Sequence, residues 1–99
     1  MANVELAKSV SRYLDNKKKC SPPLREEFIQ RILLIPDDIE VGIPLVGNLS
    51  GCYKIPFDYK RVSYRIVYEV FENMERAVVV YCGPRGNAYD RVKRKLRRR

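Results

Sequence analysis

GCYKIPFDYKRVSYRIVYEV, residues 51–70, decides the fold, because its apolar residues recur at every second position. Tyr53, Ile55 and Phe57 alternate with Cys52, Lys54 and Pro56, and Tyr64, Ile66, Tyr68 and Val70 alternate with Arg65, Val67 and Glu69. Period two puts successive side chains on opposite faces of a strand. The short link at residues 58–62 makes the pair a hairpin. Downstream, AVVVYC (residues 77–82) is almost continuously apolar, which predicts a third strand that is central or covered on both faces. Its link, residues 73–75, is again short. Pro56 has no N–H for a ladder, so its strand belongs at an edge or carries a bulge there.

Upstream the pattern changes. DDIEVGIPLVGNLSG, residues 37–51, reads as a loop by its Gly, Pro, Asn and Ser content. Before it, Leu24, Phe28, Ile32 and Ile35 share one helical face, with Ser21 and Pro22–Pro23 as a start signal and Pro36 as a stop. Leu6, Val10, Tyr13 and Leu14 have the spacing of an earlier helix that ends in the polar run at residues 15–19, and residues 2–6 suit a short first strand. At the other end, Asn87 can cap a last helix with Tyr89, Val92 and Leu96 on one stripe. The expected class is α+β: one domain of 99 residues in which two N-terminal helices pack on a small antiparallel sheet, with a short C-terminal helix.

Composition narrows the function. The chain is 45% hydrophobic but has no segment apolar enough to span a bilayer, and its N-terminus lacks the features of a secretory signal. A cytoplasmic protein without membrane contact is expected. Cys20, Cys52 and Cys82 are odd in number and widely spaced, which argues against a disulfide framework. With no histidine and no paired cysteines, neither a metal nor another cofactor is expected, and Cys52 and Cys82 read as small buried hydrophobes. The charge is segregated. Residues 1–50 carry seven Lys/Arg and seven Asp/Glu, whereas residues 51–99 carry thirteen against five and hold the whole net +8. Such a half-molecule attracts phosphate chains or an acidic partner.

Alternation places Lys54 and Arg65 on the polar side of neighbouring strands, away from the Tyr/Ile face that meets the helices. Arg85 follows the third strand in a Gly-Pro-Arg-Gly corner, and Tyr89 opens the last helix. If the strands form one sheet, these four side chains converge on a basic surface. That set suits phosphodiester cleavage by the neighbouring 2′-hydroxyl of RNA, which needs proton-transfer groups and positive charge where the phosphorane builds up. Arginine forks match phosphate geometry, and a tyrosine ring can stack an unpaired base. Each residue also has a plainer reading. Lys54 can be a solvated strand residue, Arg65 can pair with Glu69 or Glu72, and Tyr89 has the spacing of a core anchor. Arg85 has no packing reason to sit where it does.

The order of these parts resembles the RelE/ParE superfamily of bacterial and archaeal toxins. The motifs are a Leu-x-Gly loop, a Tyr-x-Ile strand, a Tyr-Arg-x-x-Tyr strand and a strand ending in Pro-Arg-Gly-x-Ala-Tyr, over residues 45–96. The resemblance implies a small toxin neutralised by a cognate antitoxin. In the RelE-like branch it implies cleavage of mRNA in the ribosomal A site without a metal. By motif matching, Lys54 stands for a family strand lysine, Arg65 for the arginine of Tyr-Arg-x-x-Tyr, Arg85 for the arginine after the last strand, and Tyr89 for the tyrosine four residues beyond it. The implied partners are the antitoxin, the ribosome and mRNA, with Lys60, Arg61, Lys93, Arg94 and Lys95 as further RNA-binding candidates.

Two positions depart from the pattern: Pro56 stands where some members have a second lysine, and Pro84 where many have histidine. A ParE-like inhibitor of DNA gyrase, or a weakened homologue that binds only antitoxin or RNA, are the alternative readings. Joint retention of Arg65, Arg85 and Tyr89 favours the nuclease.

Overall fold

The period-two segments form three consecutive antiparallel strands: β3 (Cys52–Tyr59), β4 (Val62–Phe71) and β5 (Arg76–Pro84). The computed structural model describes residues 2–71 and 73–97, with backbone alone at residues 87 and 95–97. Before these strands come β1 (Asn3–Leu6), α1 (Lys8–Asp15), α2 (Pro22–Ile32) and the two-residue β2 (Ile43–Pro44). After them, a 3-10 turn (Arg85–Asn87) leads into α3 (Ala88–Arg97).

The five strands lie in the order β1-β5-β4-β3-β2. The sheet is mixed, which corrects the antiparallel sheet expected from sequence: β1 runs parallel to β5, from Asn3↔Arg76 to Leu6↔Val79. A four-residue strand carries no local mark of its partner, and here the partner lies beyond both helices. An ion pair spans the two strands, with Arg76 Nη2 2.9 Å from Glu5 Oε2. Leu6 belongs to β1 and is 38% exposed, so α1 begins after it and is anchored by Val10 and Leu14.

Ser21 starts α2 as anticipated: its Oγ accepts the Leu24 N–H at 3.4 Å, and Pro22 and Pro23 occupy positions that need no donor. The helix ends at Ile32, short of Pro36, and residues 33–37 continue as turns that still bury Ile35. Phe28 is fully buried where α2 meets the sheet. It meets Tyr13, Phe57 and Tyr64 edge-on, at centroid distances of 5.8, 5.0 and 5.7 Å. Truncating such a residue to alanine costs about 3–5 kcal/mol.

The opposite face of the sheet is also covered. Val67, Val80 and Tyr81 pack with Ala88 and Val92 of α3, so β5 is buried on both sides, as its apolar run implies. A bulge makes this possible. Tyr68 pairs with Val79 but Val67 pairs with Tyr81, which leaves Val80 as the extra residue, and both Val80 and Tyr81 join the α3 core.

The segment read as a loop contains β2, which pairs Ile43 with Lys54 and Pro44 with Tyr53. The Tyr68 hydroxyl holds it in place. It donates to the Ile39 carbonyl at 2.8 Å and accepts the Gly42 N–H at 3.0 Å. Because β2 is so short, β3 is a free edge at Pro56, where a missing donor costs nothing. Among the described residues no helix is long and apolar enough to cross a membrane.

Candidate functional site

Lys54 projects from β3 on the face that carries α3. Val67, its partner across the β3–β4 ladder, belongs to the α3 core. The Lys54 Nζ lies 6.0 Å from the centroid of the Tyr89 ring, at the outer limit of a cation–π contact. Tyr89 is half-buried and packs against the Val67–Tyr81–Ala88 cluster, so its core role and its approach to Lys54 coexist.

Arg65 lies on the same face of β4, opposite Pro56 on one side and Gly83 on the other. It is diagonal to Lys54, an arrangement that puts Cβ atoms about 7–8 Å apart or slightly less. Its Nη1 donates to its neighbour's carbonyl, Tyr64 O, at 2.9 Å, and its Nε is buried with no hydrogen-bond partner. Among the described residues no carboxylate lies in ion-pair range of Arg65; Glu72, one of the two partners considered from sequence, lies outside them. A buried donor left unpaired costs free energy, and in native proteins such groups often mark a site where something else completes the bond.

Arg85 begins the 3-10 turn directly after β5, and it is exposed. The corner before it is built by Tyr81, a residue that the sequence pattern presents only as one more apolar strand position. Its hydroxyl donates to the Pro84 carbonyl at 2.6 Å. It lies so close to Gly83 that a Cβ there would meet it at 2.8 Å, and Gly83 adopts φ 154°. Only glycine fits both demands. Burial pushes the Tyr81 phenol up, with the Arg91 charge opposing that shift, so it stays a neutral donor at physiological pH.

Lys60 and Arg61 form the two-residue tip of the β3–β4 hairpin, with φ of 47° and 67°. Such turns need left-handed backbone at both positions. The tip lies four residues beyond Pro56, about 13 Å along the strand, so these two cations are apart from the Lys54–Arg65 pair. The Lys60 Nζ instead sits 5.5 Å from the Tyr59 ring centroid. Lys93 and Arg94 are exposed on α3. The side chains of Lys95, Asn87 and Leu96, and the last two residues of the basic tail, lie outside the described residues. Among the described residues no three His, Cys, Asp or Glu side chains gather at one point.

The sheet face thus offers a lysine beside a tyrosine and an arginine diagonal to that lysine, while Arg85 stands exposed on the braced corner that follows β5. No protein-family model matches the chain, and no curated protein does. Solved structures do match. The free E. coli toxin RelE, in an arginine-substituted form, superposes with a TM-score of 0.69 at 19% identity over 98% of each chain. The isolated E. coli RelE toxin gives 0.61 at 22% identity, over 97% of this chain and 99% of that one. The RelBE2 toxin–antitoxin complex of Mycobacterium tuberculosis gives 0.67 at 19% identity, over 85% and 98%. The chain has the fold of the RelE toxins.

Proposed function

We propose that this chain is the toxin of a toxin–antitoxin pair, acts in the cytoplasm, and cleaves mRNA in the ribosomal A site. The carrying observation is the meeting of Lys54 and Tyr89 over the sheet face, with Arg65 diagonal to the lysine. The reaction is attack of the RNA 2′-oxygen on the adjacent phosphorus. The 2′ proton passes to a protein group, the P–O5′ bond breaks, and the leaving 5′-oxygen takes a proton. The products are a 2′,3′-cyclic phosphate and a 5′-hydroxyl.

Lys54 and Tyr89 are the side chains at hand for the proton movements, and the Tyr89 ring is also placed to stack an unpaired base. Arg65 and Arg85 meet the charge on the phosphorane oxygens through their guanidinium forks. No metal ion has a part in this scheme. A cognate antitoxin, acidic or amphipathic, would cover the basic sheet face and α3; solved relatives of this fold include toxin–antitoxin complexes.

Pro56 favours a second reading. It stands directly opposite Arg65 and leaves that register position without a cation. A homologue weakened in cleavage, which still binds antitoxin or RNA, follows from it. Primer extension on mRNA in programmed 70S ribosomes separates the two. A-site cuts that vanish in a folded Arg85→Ala protein are expected. Intact mRNA beside an active control toxin would overturn the nuclease and leave the binding-only homologue or the gyrase inhibitor, which a gyrase assay separates.

A further inference from the structure

β1 ends opposite Val79, where the Ala7 N–H donates to the Val79 carbonyl at 2.9 Å and the chain leaves the sheet as α1. Beyond that point the edge of β5 has no β1 beside it. α1 packs on one side of β5 and α3 on the other. A cleft of about 230 Å³ opens between the two helices, lined by Ser9, Arg12, Tyr13, Asn16, Lys19 and Arg91. A smaller pocket of about 90 Å³ adjoins it, sharing Ser9, Tyr13 and Arg91 and reaching Tyr81.

The lining follows from local structure. Ser9, Arg12, Tyr13 and Asn16 are spaced three, four and seven apart, one face of α1. The Asn16 carboxamide then accepts the N–H groups of Lys18 at 3.1 Å and Lys19 at 3.4 Å, which turns the chain so that Lys19 closes the end of the cleft. Arg91 enters from α3, near enough to Tyr81 for its charge to act on that phenol.

Three cations therefore share one cleft, and among the described residues no carboxylate lines it. Among the described residues none of the three is in a salt bridge; Asp15, at the end of the same helix, faces Arg25 at 4.0 Å instead. Bringing like charges together costs free energy, which an anion repays. Two guanidinium forks with a hydroxyl and a carboxamide fit the oxygens of a phosphate. Exposed Lys17 and Lys18 continue the positive strip along α1, and Lys93 and Arg94 are exposed on α3 beside Arg91. A chain charged at every residue suits such a strip better than an acidic peptide with interspersed carboxylates.

We infer that the α1–α3 cleft is a second phosphate-binding site, in which Arg12, Lys19 and Arg91 hold one phosphodiester of an RNA chain away from the reacting phosphate. The inference rests on the RNA-directed reading above. Ribosomal RNA and the mRNA itself offer the same chemistry, and the test separates them.

Affinity is measured against salt concentration for a non-cleavable RNA oligonucleotide and, separately, for 30S subunits. The proteins are the wild type, an Arg12→Gln/Arg91→Gln double variant, its Lys/Lys counterpart and Arg85→Ala. Both arginines are exposed, and thermal melting checks that the variants fold. The double Gln variant is expected to bind more weakly, with a log K against log salt slope shallower by about 0.7 for one lost single-strand contact or about 0.9 for a duplex one. The Lys/Lys variant keeps most of the slope. A change on the oligonucleotide assigns the phosphate to mRNA; a change on 30S subunits alone assigns it to ribosomal RNA.

An unchanged slope and affinity in both arms overturns the inference, as does a wild type that binds neither RNA. Unchanged RNA binding with lost affinity for polyglutamate overturns it in favour of a carboxylate partner. If Arg85→Ala cuts mRNA like the wild type while the double Gln variant still loses slope, the cleavage site is misassigned and the second phosphate site stands.

Discussion

Tyr68→Phe removes one oxygen atom and nothing else from the middle of the sheet, and its effect can be worked from the contacts. The Tyr68 side chain is fully buried and stacks on Tyr53 at a centroid distance of 5.4 Å, all of which phenylalanine retains. What goes is the pair of hydrogen bonds to Ile39 O and Gly42 N–H. A deleted partner leaves a buried polar group short by about 1–3 kcal/mol. Residues 39 and 42 are half-buried, so water recovers part of that, and about 2 kcal/mol is the expected net loss. For a domain of this size each kcal/mol moves Tm by about 4–8 °C, so a drop of roughly 8–16 °C should appear in a far-UV circular dichroism melt. The damage is also local. Gly42 sits against the Lys54 carbonyl, where a Cβ would come within 2.8 Å, and β2 has only two residues to hold this edge. Amide exchange at residues 41–43 should accelerate more than exchange in β4 or β5. Burial pushes the Tyr68 phenol up to about 12, above its unfolded value of 10.0. Its contribution is therefore complete below pH 10 and lost as pH rises through 12, a loss that the Phe variant should lack. A Tm within about 2 °C of wild type, with unchanged exchange at Gly42, would refute the idea that this hydroxyl secures the edge next to Lys54.

Other substitutions test the site and its supports. Arg65→Met deletes the buried Nε that lacks a partner, so chemical denaturation should show stability equal to or above wild type while mRNA cleavage disappears; a clear loss of stability would make Arg65 a structural residue. Gly83→Ala drives a Cβ against the Tyr81 hydroxyl and strains a φ of 154°, which should cost about 1–3 kcal/mol in a urea titration and displace the Arg85 corner. An unperturbed protein would mean that the Tyr81 brace yields freely. The Arg76 hydrogen bond and charge hold the Glu5 carboxyl below its ordinary value. The stability it contributes is present above the unfolded carboxyl range and fades as pH falls, so Glu5→Gln should flatten the acid side of a Tm–pH curve. An unaltered acid limb would show that the β1–β5 ion pair adds nothing.

Much of this was legible from residue order, for identifiable reasons. The period of two in residues 52–71 and the capping signal at Ser21 are local patterns with local causes, and they appear where expected. The Lys54 and Arg65 faces followed from the same alternation. Tyr81 was missed because the bulge at Val80 shifts the alternation by one, and a bulge inside an apolar run leaves no mark on the pattern. β2 was missed because two residues are too few to show a period. The spacing of Leu6 to Val10 is helical, yet pairing with Val79 claims Leu6 for β1, because a strand partner 73 residues away outweighs a local period.

By itself the sequence determined the three long strands and the second helix, the need for an edge or a bulge at Pro56, and the concentration of positive charge in residues 51–99, because each depends on neighbours within a few positions. Only the tertiary structure decided that β1 would run parallel to β5, that Tyr89 would come to Lys54, and that Arg12, Lys19 and Arg91 would share a cleft. Those are meetings between distant parts of the chain. They are set by how two helices cover the two faces of one sheet, and a count along the sequence does not contain them.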